Sequence, residues 1–133
     1  MHFLTDDELI AIHATVMRRL GEEPQPLVRP DLLGSALARP IWAARYEGAD
    51  LITQTARLGI GIARAHAFVD GNKRTAYEAM IFFLGINGVR LRDPGLMLAG
   101  IVEWAVSPEV SDDDAEARLA AALTDLQQPP ASS

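Results

Sequence analysis

Two strongly apolar segments, Leu51–Ala63 and Thr75–Ile86, enclose a stretch of quite different character, His66-Ala-Phe-Val-Asp-Gly-Asn-Lys-Arg74. In the first segment Leu51, Thr55, Leu58 and Ile62 line one helical face, and Ile52, Ala56, Gly59 and Ala63 the adjacent one. An apolar surface that broad belongs to a helix covered by neighbours on most sides. Gly59 and Gly61 weaken such a helix by about 1 kcal/mol each relative to alanine, so their presence predicts close packing against another element. Asp50 is placed to cap this helix. The second segment predicts a helix over about Asn72–Asn87, whose most apolar part, Ala79–Ile86, is bounded by Glu78 and Asn87. Spanning a bilayer takes about 20 such residues, so a buried helix is expected. Two core helices thus hold one polar loop from both sides, a rigid support for a site.

The loop concentrates a possible base, a carboxylate, a flexible glycine, an amide and two adjacent cations. Asn72, Lys73 and Arg74 fall in or beside the first turn of the second helix, where free N–H groups and the positive end of the helix dipole attract anions. Gly71 supplies the positive φ of a sharp loop-to-helix entry and lets a ligand approach the backbone. A phosphate suits such a nest, and His66 beside it carries a side chain suited to moving protons near neutrality. Singly these residues have ordinary explanations: a surface histidine, an Asp-Gly-Asn turn, a solvated Lys-Arg pair. Two cations at the helix end that repels them, however, point to an anion between them and the amides.

Elsewhere, Thr5-Asp-Asp-Glu8 reads as a capping box ahead of a helix carrying Leu9, Ile12, Val16 and Leu20, with Gly21 as its stop. Gly21–Pro30, with three prolines, is expected to be a loop that folds over a site. Asp31–Ala38 and Pro40–Tyr46 are predicted as two short helices. Asn87-Gly88 and Asp93-Pro94-Gly95 mark turns, and Pro94 or Gly95 opens a helix to about Val106. Ser111 and Asp112–Asp114 start a last helix with Leu119, Leu123 and Leu126 as its stripe. Trp42 and Trp104, inside helices, are expected to be core or interface anchors, and His2 and His13 lack a ligand-spacing partner for zinc. With no convincing strands, the expected fold is a compact all-α single domain over residues 1–126, followed by a flexible tail, 127–133.

At 133 residues the chain can bury a core without staples, and it has no cysteine for disulfides, thiolate metal sites or nucleophilic catalysis. Twelve Lys and Arg against eighteen Asp and Glu give a net charge of −6, which argues against broad nucleic-acid or anionic-membrane binding. Arg64, His66, Lys73 and Arg74 form a local basic exception, matched to a small anion rather than a polymer. The start, Met1-His-Phe, lacks the basic region and apolar run of a signal peptide, and a cytoplasmic location is expected.

His66–Arg74 resembles the signature loop of the Fic/Doc superfamily, His-x-Phe-x-(Asp/Glu)-(Ala/Gly)-Asn-(Gly/Lys)-Arg, and Asp70 with Lys73 resembles its Doc branch of toxins. Leu4–Leu9 with Ile12-His13, the segment Leu32–Pro40 and Tyr46 also agree, so the likeness covers roughly residues 3–105. Ala67 departs from it, since proline commonly follows the motif histidine. The resemblance implies a helical Fic-like domain and a set of roles. His66 is the general base, Asp70 ligates Mg²⁺ or orients His66, and Gly71, Asn72, Lys73, Arg74 and more weakly Arg64 hold the phosphates of ATP or another nucleoside triphosphate. Phe68 anchors the loop in the core. It further implies phosphoryl transfer to a hydroxyl, a threonine of elongation factor Tu, and a Phd-like antitoxin that lays a helical segment in a surface groove. A Fic-type adenylyltransferase and a catalytically silent antitoxin-binding module are the alternatives.

Overall fold

A helix begins where something satisfies the free amides of its first turn, and the chain supplies that device repeatedly. The computed structural model describes residues 1–93 and 96–129. In α1 (Asp6–Arg19) Thr5 Oγ1 accepts from the Glu8 amide at 3.1 Å while the Glu8 carboxylate accepts from the Thr5 amide at 3.0 Å, the reciprocal capping box. α2 (Pro30–Glu47) opens on a proline, whose missing N–H costs nothing in the first turn. In α3 (Leu51–Ala65) Asp50 Oδ1 accepts from the Thr53 amide at 2.8 Å, and in α6 (Asp112–Asp125) Ser111 Oγ accepts from the Asp114 amide at 3.1 Å. The carboxylate of Asp93 accepts from the amides of Met97 and Leu98 at 2.7 and 2.9 Å, starting α5 (Met97–Ala105). The expected helix start at Pro94 or Gly95 lies outside the described residues. α4 (Asn72–Ile86) alone among these helices opens on a left-handed glycine, Gly71; like α2 it has no side-chain cap, but it has no proline in its first turn either.

The fold is all-α, and α3 is its centre: α2, α4, α5 and α6 all pack against it, and α1 closes over α4. The glycines of α3 explain how its neighbours come so close. A Cβ on Gly59 would stand 2.3 Å from Met80 Sδ of α4, and one on Gly61 would stand 3.3 Å from the Cα of Ala36 in α2. Each is a notch that a neighbouring helix occupies. Leu58, Met80, Phe83, Leu84, Leu119 and Leu123 fill the core around them, fully buried.

Three expectations change. The two short helices predicted on either side of Arg39 are one, α2, with Pro40 inside it. An interior proline costs about 3 kcal/mol. Leu33, Ala36, Leu37, Pro40 and Ala43 nonetheless form one buried face running through it, and burial against α3 outweighs the lost hydrogen bond. Of the core or interface roles expected for the tryptophans, Trp42 does not take the first: it is 60% exposed and paired with Tyr46 at 5.0 Å, whereas Trp104 is half-buried beneath the Arg118 guanidinium. At the expected tail boundary, the Gln128 amide donates to the Arg90 carbonyl and the Arg92 amide to the Leu126 carbonyl, both at 2.9 Å. The chain is therefore held past residue 127; residues 130–133 lie outside the described ones.

Gly59→Ala should destabilise the protein. Alanine's better helix propensity is worth about 1 kcal/mol, but overpacking a filled core costs about 1–3 kcal/mol. Urea unfolding checks this, and with Met80→Ala added the total loss should be smaller than the sum of the two single losses. A second expectation concerns acid. Hydrogen bonds from the His2 side chain and the Thr5 backbone hold the Glu8 carboxyl below its usual range, and the Thr53 amide does the same for Asp50. Folded values below unfolded ones mean stability that is present above the unfolded value and is lost as pH falls through the folded one. The urea midpoint should therefore drop below about pH 4, and Asp50→Asn, which keeps a capping oxygen, should flatten part of that drop.

Candidate active site

The Phe68 side chain is only 2% exposed and stacks face to face on His13 of α1, ring centroids 3.7 Å apart and planes 6° from parallel. An apolar ring pulled inward from a polar loop anchors everything around it, as the motif implies. Asn72, at the first position of α4, clasps the same residue from the other side: its Oδ1 accepts from the Phe68 amide at 3.1 Å and its Nδ2 donates to the Phe68 carbonyl at 2.8 Å. The structure thus gives Asn72, itself buried, the work of closing the loop rather than that of a free donor to a phosphate.

Ahead of Phe68, α3 ends with His66 in the left-handed region, φ 48° and ψ 44°. That conformation costs of order 1 kcal/mol for a residue with a side chain. Residues 27–29 help hold it: Arg29 Nη1 donates to the His66 carbonyl at 2.7 Å, and the Val28 and Arg29 amides donate to the Ala67 carbonyl at 2.8 and 3.1 Å. The proline-rich loop lies along the motif, joined by a bridge between Leu27 and Phe68. The His66 side chain is exposed, and its ring makes no hydrogen bond among the described residues.

Behind Phe68, Asp70 Oδ1 accepts from the Gly71 amide at 2.8 Å, and His13 Nε2 donates to the Asp70 carbonyl at 2.9 Å. No hydrogen bond joins the Asp70 carboxylate to the His66 ring among the described residues. Among those residues no three His, Asp or Glu side chains gather as a metal cage. One exposed carboxylate fits Mg²⁺ that takes its other oxygens from phosphates and water. Gly71, at φ 78°, has the expected positive φ. Its close approach is to the protein itself, because a Cβ there would stand 2.8 Å from Met17 Sδ.

The first-turn amides of α4 therefore emerge from a braced loop with no capping side chain, the arrangement of an anion site. Its two cations are held by carboxylates: Lys73 Nζ donates to both oxygens of Glu103 at 2.9 Å, and Arg74 lies 3.6 Å from Glu78 and 5.3 Å above the Tyr77 ring. Exposed pairs of this kind are worth about 0–1 kcal/mol, less than a phosphate bound to several charge-assisted donors offers. Both cations are thus available to an incoming anion. Arg64 is different. Its guanidinium donates to the Ala105 carbonyl at 3.2 and 2.7 Å and to the Val110 carbonyl at 3.1 Å, and it pairs with Asp112. It ties α3 to the α5–α6 connection and is removed from the phosphate-binding set.

A family model described as "Fic/DOC family" matches residues 3–84, more than half of the chain. The chain belongs to the Fic/DOC family. A protein named "Protein kinase doc" from Escherichia phage P1 is 34% identical over 114 residues, covering 84% of this chain and 87% of that protein. "Toxin Doc" from Mycolicibacterium smegmatis strain ATCC 700084 / mc(2)155 is 50% identical over 64 residues, 45% of this chain and 48% of that one. In this Fic/DOC chain the residue that sequence reasoning passed over is His13. Its signal was periodic: Leu9, His13, Val16 and Met17 follow helical spacing on the buried face of α1, and a histidine on such a face needs a partner.

Arg64→Ala should lower the unfolding free energy by about 1–3 kcal/mol, as expected for buried carbonyls losing a charged donor. Amide NMR shifts should move at Val106 and Ser111, which follow its acceptors, and stay in place at Lys73 and Arg74.

Proposed function

We propose that this chain is a Doc-type toxin, a phosphotransferase that moves the γ-phosphoryl group of a nucleoside triphosphate to a protein hydroxyl. The observation that carries this is the exposed His66 next to the braced, uncapped start of α4, with an exposed carboxylate, Asp70, between them. The name of the phage relative, a protein kinase, supports phosphotransfer. In the reaction the hydroxyl oxygen attacks the γ-phosphorus, its proton passes to His66, and the bond to the β–γ bridging oxygen breaks to release the diphosphate. A base of this kind is typically worth about 10²–10⁴ in rate. The α4 amides with Lys73 and Arg74 hold the charge that the transfer spreads over the phosphoryl oxygens. Asp70 would hold Mg²⁺, which when bound would further neutralise the phosphates.

Positions 73 and 77 support γ over α transfer. Fic-type adenylyltransferases have glycine where this chain has Lys73, and commonly a second arginine, on the face of Arg74, where it has Tyr77. Here Tyr77 is buried beneath Arg74, so the terminal phosphates lack that second anchor and Lys73 offers a different one. A threonine of elongation factor Tu is the proposed target, which places the action in the cytoplasm and stops translation. No helix among the described residues is long and apolar enough to cross a membrane. A Phd-like antitoxin is the proposed restraint. A groove of about 350 Å³ between α1 and α4, floored by Ile12, Val16 and Phe82 and edged by Glu8, Arg19 and Glu78, suits an amphipathic helical segment.

His66→Ala should remain folded by circular dichroism and lose growth arrest on induction; arrest by the folded variant would overturn the base assignment. Incubation with elongation factor Tu and ATP labelled at the α or γ position should label the target from γ alone. Label from the α position would instead establish adenylyl transfer.

A further inference from the structure

His13 reaches into the motif from α1, more than fifty residues away in the chain, and its side chain makes there its only hydrogen bond among the described residues, to the Asp70 carbonyl. It is 1% exposed, and its ring lies flat on Phe68. A Cβ on Gly71 would stand 3.7 Å from the same edge of the imidazole, so His13 underlies the loop from Phe68 to Gly71. A carbonyl only accepts, so Nε2 carries the proton and acts as the donor. The bond takes hold of the peptide unit between Asp70 and Gly71. That unit also carries the Gly71 amide, which donates to Asp70 Oδ1. One imidazole therefore restrains both the peptide plane at Gly71 and, through its amide, the carboxylate of Asp70. Glycine at φ 78° has little resistance of its own to a flip of that plane. The Asp70 carboxylate would swing with it, since among the described residues its only hydrogen bond is to that amide.

We propose that His13 is a positioning residue for phosphoryl transfer: its Nε2–H locks the Asp70–Gly71 peptide so that the Asp70 carboxylate and the α4 amides keep their working geometry. The inference rests on the phosphotransferase reading of the loop. His13 touches no reacting atom; it acts through Asp70. The stack on Phe68 and the hydrogen bond to Asp70 are separable contributions, and it is the hydrogen bond that sets the carboxylate.

Three substitutions separate them. His13→Phe keeps a flat ring on Phe68 and loses the donor. His13→Gln places an amide nitrogen at the reach of Nε2, whereas His13→Asn, equally polar, is one carbon too short. With folding verified by circular dichroism, His13→Phe and His13→Asn should each lower kcat for transfer from γ-labelled ATP by about 10²-fold, the scale of a small misplacement of reacting groups. KM for ATP should change little, and His13→Gln should recover most of the rate. Independently of activity, the Gly71 amide should exchange with deuterium up to about tenfold faster in the Phe and Asn variants, as loss of one supporting hydrogen bond allows, and at the wild-type rate in the Gln variant. Folded Phe or Asn variants with wild-type exchange at Gly71, or a Gln variant no better than Asn, would overturn the proposal. If the wild-type protein transfers no label, the phosphotransferase reading fails by itself, and the exchange comparison still decides whether His13 locks the peptide. Should His13→Phe not fold, the Gln and Asn pair decides.

Discussion

The burial of Phe68 is the interaction on which the site depends. α3 and α4 are joined by a connection too short to wander; its Phe68 ring stacks on His13 while the Asn72 side chain clasps the Phe68 backbone. Once Phe68 is inside, Ala67 must lie under the proline-rich strap, His66 must take a left-handed turn, and Gly71 must do the same before α4 can start. The conformations on either side of Phe68 are unfavourable in isolation. They persist because the surrounding core over-determines them. The loop is therefore rigid without the proline that commonly follows the motif histidine: residues 27–29 and Asn72 supply the restraint from outside.

Contrast among the helix starts shows where binding capacity was left. α1, α3, α5 and α6 begin with a serine, threonine or aspartate accepting from a first-turn amide. α4 has no such group, and cations stand at the end where its dipole disfavours them. An uncapped, positively flanked helix start is locally unfavourable, and such local conflicts are expected at functional positions. The carboxylates that now hold Lys73 and Arg74 form exposed pairs of small worth, so exchanging them for phosphate oxygens costs little. Arg64 shows the opposite economy. Its hydrogen bonds end on backbone carbonyls of the α5–α6 region, and the side chain is fixed in the architecture.

Much of this was legible in the amino-acid sequence because it is local. The capping box at Thr5, the cap at Asp50, the Ser111 start and the two apolar helices follow from residue order within a turn or two. The His66–Arg74 loop was equally visible, since its chemistry is contiguous. Gly59 and Gly61 announced close packing without naming what packs there. Pro40 misled, because the local cost of a proline is readable while the burial that outweighs it is not.

What tertiary structure decided is who meets whom. Asn72 and, more weakly, Arg64 carry donors that the family resemblance assigns to a phosphate; folding brings the Phe68 backbone and the Ala105 carbonyl to them first. His13 looked like an isolated histidine until α1 laid it beneath a loop distant in the chain. Sequence by itself determined the helices, their starts and the nine-residue motif, because those depend on neighbours along the chain. The division of that motif into residues that hold the loop and residues free to meet a ligand was decided only in three dimensions, since a polar group's role depends on which partner reaches it.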